Sequence, residues 1–455
     1  MTIDLRRVAS AAARRLGLRP EEPVTPRSNG RLSFVGPMPP AATGVATYDR
    51  AVLDGLGRIG FLERHGIDVL WPIHRTHRRS IVGYELGIYQ LGNNVEFHRD
   101  VYALACEAPG LIVLHDLAMD GFVKELDASG DRLGRQAMSE AAAVPIRPLD
   151  PDVGLHEPLQ VAWCAAIARA ARGIVVHSTF CKRYLEATGT RTPIFVVPHP
   201  AVEGIPGLRL AEERAREIRA SLSQRGTRSL LVAPGDVNET KQHGGIVGAL
   251  AGLPRDVHLT IVGRPSRTYD VERLVQRAGL GDRVTVRLGV PDDEFLAWLA
   301  AADVVVDLRH PHRGEVSGSL IRSMQLGKPT IVSATGTYLD VPRDAIVGVA
   351  PGPVNVPELR AAIAALLDAP DRRHEIGARA TAAIRRDAEA DATARGYEEA
   401  IEATLELLRD PRHLALERWS RSLVAIGVDE GLTREGYGLA YARSVQGLGS
   451  ARPEG

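Results

Sequence analysis

Short β-rich runs alternate with longer helix-like stretches along most of this chain, and that alternation leaves few architectures open. A short run of consecutive apolar, β-branched residues needs cover on both faces. Intervening helices provide it when the strands lie parallel, so the pattern predicts an α/β fold of doubly wound sheets. The first half offers strands at 32–36, 67–71, 85–90, 111–114, 173–177 and 194–198; the second offers 229–233, 257–263, 283–287, 303–308 and 330–333. Between the two sets, residues 198–207 are rich in proline and glycine, which marks a domain junction. A length of 455 residues also predicts two or three domains. The expected division is a basic helix and linker over 1–30, one Rossmann-like domain over 31–205, a second over 206–390, and a helix with a helical tail over 391–455. Within that last part, 393–408 has the apolar periodicity of an amphipathic helix.

Charge narrows the partners. With 56 basic and 56 acidic side chains the chain has no global field to attract nucleic acid, so any anion site must be built locally. Cys106, Cys164 and Cys181 form no C-x-x-C pair, which argues against a disulfide framework or a structural zinc site and fits a reducing cytoplasm. Arg6, Arg7, Arg14, Arg15 and Arg19 interrupt the N-terminal segment, unlike a signal peptide, and no 18-residue apolar stretch occurs. Those arginines form either a solvated helix face or a peripheral contact with an anionic membrane.

Two stretches carry the chemistry. Gly235 to Lys241 follows an apolar strand, and Arg313 to Ser319 opens an apolar-periodic helix. Each sets glycine and a fixed charge at a strand-to-helix turn, where free amides and the helix dipole attract phosphate. Two such turns in one domain point to a diphosphate-bearing ligand, with Lys241, Ser317, Gly318 and Ser319 around it. Gly44 precedes a helix expected at 45–56, in a loop too proline-rich for a dinucleotide cradle. His115 and Asp116 follow the strand at 111–114, at the end where open α/β sheets bind ligands. Glu315 stands just ahead of a helix start. Gly327-Lys-Pro lacks the first glycine and the Ser/Thr of a P-loop, and Asp150-Pro-Asp152 reads as a helix start before it reads as a metal-binding D-x-D pair.

In order and spacing, these motifs resemble those of the GT-B fold glycosyltransferases, specifically the large retaining family 4. The resemblance runs from about residue 31 to 408. It is carried by Gly36 through Gly44, the 109–116 segment ending in His115 and Asp116, Val176-His177-Ser178 with Pro198-His199-Pro200, Gly235…Asn238…Lys241, Ile261-Val262-Gly263, and Gly314-Glu315 through Lys328-Pro329. It implies two Rossmann-like domains facing across a cleft, a nucleotide-sugar donor held mainly by the C-terminal domain, an acceptor held mainly by the N-terminal one, and a final helix crossing back.

The resemblance further implies transfer of a hexose-type sugar to an acceptor hydroxyl with retention, without metal or other cofactor. Lys241 would hold the donor diphosphate, with the amides of Ser317, Gly318 and Ser319 opposite. His115 would lie beside the transferred sugar, Glu315 near its hydroxyls, and Gly44 near the diphosphate from the facing domain. The acceptor, whether glycan, lipid-linked or small, is not implied. Two departures stand out: Asp236 follows Gly235 where many members have arginine, and Arg322 occupies the place of a ribose-binding glutamate. Arg322 is expected to compensate, either near the diphosphate or by pairing with Glu315. A non-catalytic scaffold and a GT-B epimerase or hydrolase are the alternatives.

Overall fold

The computed structural model describes residues 30–147, 157–200, 208–266, 268–387 and 391–410. The N-terminal basic segment, Asp150 and Asp152, most of the expected junction and the tail beyond 410 lie outside the described residues. Two compact units are distinguished, residues 1–400 and 401–455, and both sheets belong to the first.

The first sheet comprises β1 (Leu32–Val35), β2 (Ile67–Leu70), β3 (Leu86–Leu91), β4 (Leu111–Leu114), β5 (Gly173–Val176) and β6 (Ile194–Val196), in the order β2-β1-β3-β4-β5-β6. The second comprises β7 (Ser229–Pro234), β8 (Val257–Gly263), β9 (Val284–Leu288), β10 (Val304–Asp307), β11 (Thr330–Ser333) and β12 (Val347–Val349), in the order β12-β11-β10-β7-β8-β9. All described pairings within both sheets are parallel. β1, β3, β4, β5, β8, β10 and β11 are buried along their whole length, as continuous apolar runs require. Among the described strands, the sequence pattern misses only β12, a three-residue edge strand too short to show a period.

Strand order reverses between β1 and β3 in the first sheet and between β10 and β7 in the second. Loops at the carboxyl ends of these neighbours diverge to opposite faces and leave room for a ligand. The register Val35 to Tyr89 brings Gly36 level with Gln90, and the register Val305 to Val232 brings the end of β10 beside the turn after β7.

The helix Gly44–Arg58 begins at Thr43, whose Oγ1 accepts from the Val45 amide at 3.4 Å. Gly327 is not a phosphate-loop residue: it terminates the helix Gly318–Gln325 with φ +64°, the Gly327 amide donating to Met324 O and the Lys328 amide to Ser323 O. A Cβ on Gly377 would meet Gly327 O at 2.0 Å, so the helix Pro370–Asp387 passes against this cap. In the helix Ala392–Arg409, Thr393 donates to Pro198 O at 3.0 Å and Tyr397 reaches Tyr48.

Candidate active site

Because β10 and β7 are neighbours, Asp307 at the end of β10 meets the turn that follows β7. Lys241 forms a buried ion pair with Asp307. Ser317 Oγ donates to Asp307 Oδ2 at 2.6 Å and Ser319 Oγ to the same oxygen at 3.4 Å, while Lys241 Nζ lies 3.4 Å from Ser319 Oγ. Gly235, at φ +110°, lies so close that a Cβ there would be 3.1 Å from Lys241 Nζ and 3.2 Å from Ser319 Oγ. Gly235, Lys241, Ser317 and Ser319 therefore converge, around a carboxylate that sequence reasoning absorbed into a strand. Gly318 borders open space: nothing lies within 4 Å of a Cβ built on it.

Burial pushes the Asp307 carboxyl up, but Lys241 and Arg309 outweigh it and hold it below the ordinary carboxylate range. Burial also lowers the Lys241 ammonium, and Asp307 opposes that shift. The pair is charged and internally neutral.

Glu315 occupies a second cluster. Its carboxylate pairs with Arg309 and accepts from the Arg313 amide at 2.7 Å, with His312 Nδ1 3.8 Å away. Burial alone would raise this carboxyl; Arg309 and His312 hold it well below the ordinary value. Across from it, Asp116 is raised first by burial and then by the charge of Glu315, and its Oδ2 accepts from the Asn93 amide at 2.9 Å. Arg309 is missed by sequence reasoning, since it reads as a loop residue just past a strand. Its Nε is buried without a hydrogen-bond partner among the described residues.

Arg322 does not pair with Glu315. Its guanidinium lies 3.5 Å from Asp292 and 5.5 Å from the Phe295 ring centroid. The expected spacing of two helical turns fails because Glu315 lies in the loop before the helix Gly318–Gln325, and that loop folds back to give Glu315 to Arg309. At the other departure, Asp236 holds Arg264 through two contacts of 2.7 and 3.1 Å. Arg264 Nη1 lies 3.5 Å from Ala42 O, and a Cβ on Gly44 would lie 3.6 Å from Arg264 Nη2. A guanidinium thus stands opposite Gly44, supplied by the loop after β8.

The loop bearing Glu315 also joins the two sheets' domains. Leu117 and Ala118 amides donate to Arg313 O at 3.0 and 2.9 Å, Arg313 Nε donates to Asp120 at 2.8 Å, and Cys181 Sγ lies 3.0 Å from Gly314 O. Gly314 has φ +82°, and a Cβ there would come within 2.7 Å of the Leu117 side chain.

On the N-terminal side, His115 sits beside Tyr48 and His177, with ring centroids 4.7 and 5.2 Å away, and His199 lies 5.0 Å from Tyr48. Burial holds His115 well below its ordinary pKa and lowers His177 to about 4 and His199 to about 3. These rings are neutral at pH 7. His177 Nε2 is buried with no partner among the described residues.

Residues 214–383 match the family described as Glycosyl transferases group 1. Over 183 residues the chain is 31% identical to D-inositol 3-phosphate glycosyltransferase of Xylanimonas cellulosilytica, covering 39% of this chain and 41% of that protein. Over 124 residues it is 31% identical to 2-deoxystreptamine glucosyltransferase of Streptomyces kanamyceticus, covering 27% and 32%. The matches therefore span less than half the length of either curated relative. Among solved structures, Anabaena HepE in complex with UDP superposes with a TM-score of 0.57 at 15% identity, covering 82% of this chain and 100% of that one. Sucrose-phosphate synthase from Thermosynechococcus elongatus does so with a TM-score of 0.52 at 17% identity, covering 87% and 100%. Two six-stranded parallel sheets with these neighbours make the fold GT-B.

Proposed function

We propose that this protein is a retaining glycosyltransferase that moves a hexose-type sugar from a nucleotide-diphosphate donor to an acceptor hydroxyl without a metal. The observation that carries this reading is the convergence of two phosphate-type turns on one point, with Gly235, Lys241, Ser317 and Ser319 gathered at Asp307. The group 1 match over 214–383 covers that part of the chain. HepE was solved with UDP, and both curated relatives bear glycosyltransferase names, which supports a UDP-sugar as the first donor to try.

Negative charge grows on the departing diphosphate as the anomeric bond breaks. Lys241, the Ser317–Ser319 turn and Arg309 are the groups available to meet it; removing one such contact typically costs about 2.7–4 kcal/mol, a hundredfold or more in rate. With no nucleophilic carboxylate assigned, the acceptor attacks from the face the diphosphate leaves, and a phosphate oxygen takes the acceptor proton. His115 and Asp116 border the sugar from the facing domain. Closure of the two domains excludes water.

One observation favours the non-catalytic alternative: Asp307 already neutralises Lys241, and Glu315 neutralises Arg309. The deciding experiment incubates the protein with UDP-, GDP-, dTDP- and ADP-sugars and follows thermal stabilisation and nucleotide release. Ser319→Ala runs alongside, since it trims the site without stranding a charge. Selective stabilisation with release, reduced in the variant, is expected. No response to any donor at millimolar concentration leaves the scaffold reading.

A further inference from the structure

Gln90 lies at the point where the first sheet reverses its order, and it is completely buried. Its Oε1 is 2.9 Å from His115 Nε2, and its Nε2 is 3.4 Å from the Tyr397 hydroxyl, which lies 2.9 Å from the Tyr48 hydroxyl. As the carboxamide is oriented in the structure, its nitrogen faces the Tyr397 oxygen and its carbonyl oxygen faces the imidazole. A carbonyl oxygen only accepts, so the hydrogen belongs on His115 Nε2. In a neutral imidazole the other nitrogen is then a bare acceptor. Among the described residues nothing is hydrogen-bonded to His115 Nδ1, and the side chain is only partly buried.

The surroundings hold this arrangement. His98, His177 and His199 add to burial in keeping the ring uncharged, and no carboxylate contacts it to reverse that. Gly36 makes the room: a Cβ there would fall 2.7 Å from Gln90 Cβ and Cγ and 2.5 Å from an Asp49 oxygen. Tyr397 comes from the helix Ala392–Arg409 and Tyr48 from Gly44–Arg58, so two distant segments fix one carboxamide.

We propose that Gln90 is a positioning residue: it locks His115 in the Nε2–H tautomer, leaving Nδ1 to accept a hydrogen bond from a substrate hydroxyl, with Tyr397 and Tyr48 holding the carboxamide in place. That the hydroxyl belongs to a sugar rests on the transferase reading; the tautomer does not. The site then requires a donor hydroxyl at that position, and a deoxy or fluoro analogue, which has no hydrogen to give, is rejected.

The test is nitrogen NMR of the full chain, with the His115 signals assigned by their loss in His115→Ala. Wild type shows one protonated nitrogen, Nε2, unchanged between about pH 5.5 and 8. Gln90→Leu gives an averaged tautomer. Gln90→Glu, which keeps the acceptor, retains Nε2–H and raises the ring's titration midpoint; it decides the matter if the leucine variant does not fold. A hydrogen on Nδ1 in wild type, or a ring indifferent to both variants, overturns the proposal. With UDP-glucose as the probe, Gln90→Leu lowers nucleotide release about tenfold in the wild-type background and less than twofold in His115→Ala. Equal losses in both backgrounds overturn the positioning role. A wild type that releases nothing from UDP-glucose counts against that donor and the transferase reading, while the NMR result still decides the tautomer.

Discussion

Lys241 was visible in the sequence because a lysine soon after a glycine turn is conspicuous; Asp307 was not, because it ends a run of valines that reads as strand. What joins them is the adjacency of β7 and β10, a tertiary fact. The same holds for Glu315, legible as a site carboxylate, and Arg309, its unseen partner. Such pairs are costly to break and cheap to replace whole. Asp307→Asn strands the Lys241 charge and is expected to lower unfolding free energy by about 3–5 kcal/mol, whereas the double change Lys241→Met with Asp307→Leu should cost clearly less. Urea unfolding of the single and double variants checks this, and equal losses would contradict it. Arg264→Ala removes an exposed pair worth about 1 kcal/mol at most, so its melting temperature should barely move. Any larger change in donor affinity in that variant then reports on binding at the Gly44 side.

At the scale of elements, apolar runs located eleven of the twelve described strands, and helix limits at 44–58 and 392–409 fell within two residues of the expected ones. Close approaches between elements were illegible, because a glycine in a sequence does not say what it faces. Gly263 is the sharpest case. It ends β8 at φ +158°, and a Cβ there would stand 1.6 Å from the carbonyl oxygen of Gly235. Gly263→Ala must therefore displace the turn that presents Lys241. The expected result is a loss of about 1–3 kcal/mol or more in stability together with weakened nucleotide binding. A melting curve and a donor titration indistinguishable from wild type would refute that reading. Gly36, which the sequence showed only as the start of a proline-rich loop, owes its place to Gln90 and Asp49 in the same way.

For the whole molecule, the buried imidazoles set the response to acid. Burial holds His98, His177, His243 and His312 at about 4 and His199 at about 3, against about 6.5 when unfolded. Below about pH 6.5 the unfolded chain therefore binds more protons, and stability falls as pH drops toward 4, each ring contributing about 1.4 kcal/mol per pH unit. Asp49 and Asp116, raised by burial, act in the opposite sense over this window, because the folded state holds their protons where the unfolded state does not. The rings outnumber them, so a net loss of stability is expected between pH 7 and pH 5. Denaturant unfolding at the two pH values measures it, and equal or greater stability at pH 5 would contradict it.

The contact between the two domains through Arg313 has a consequence for how such a chain can change over generations. Leu117 and Ala118 offer their amides and Arg313 its carbonyl, so both partners are main chain. Most exchanges of side chains leave that contact in place; proline at 117 or 118 removes one of its two donors, and a side chain at 314 would press on Leu117. Mutation can rewrite the surrounding loop, charge by charge, and still inherit the same junction.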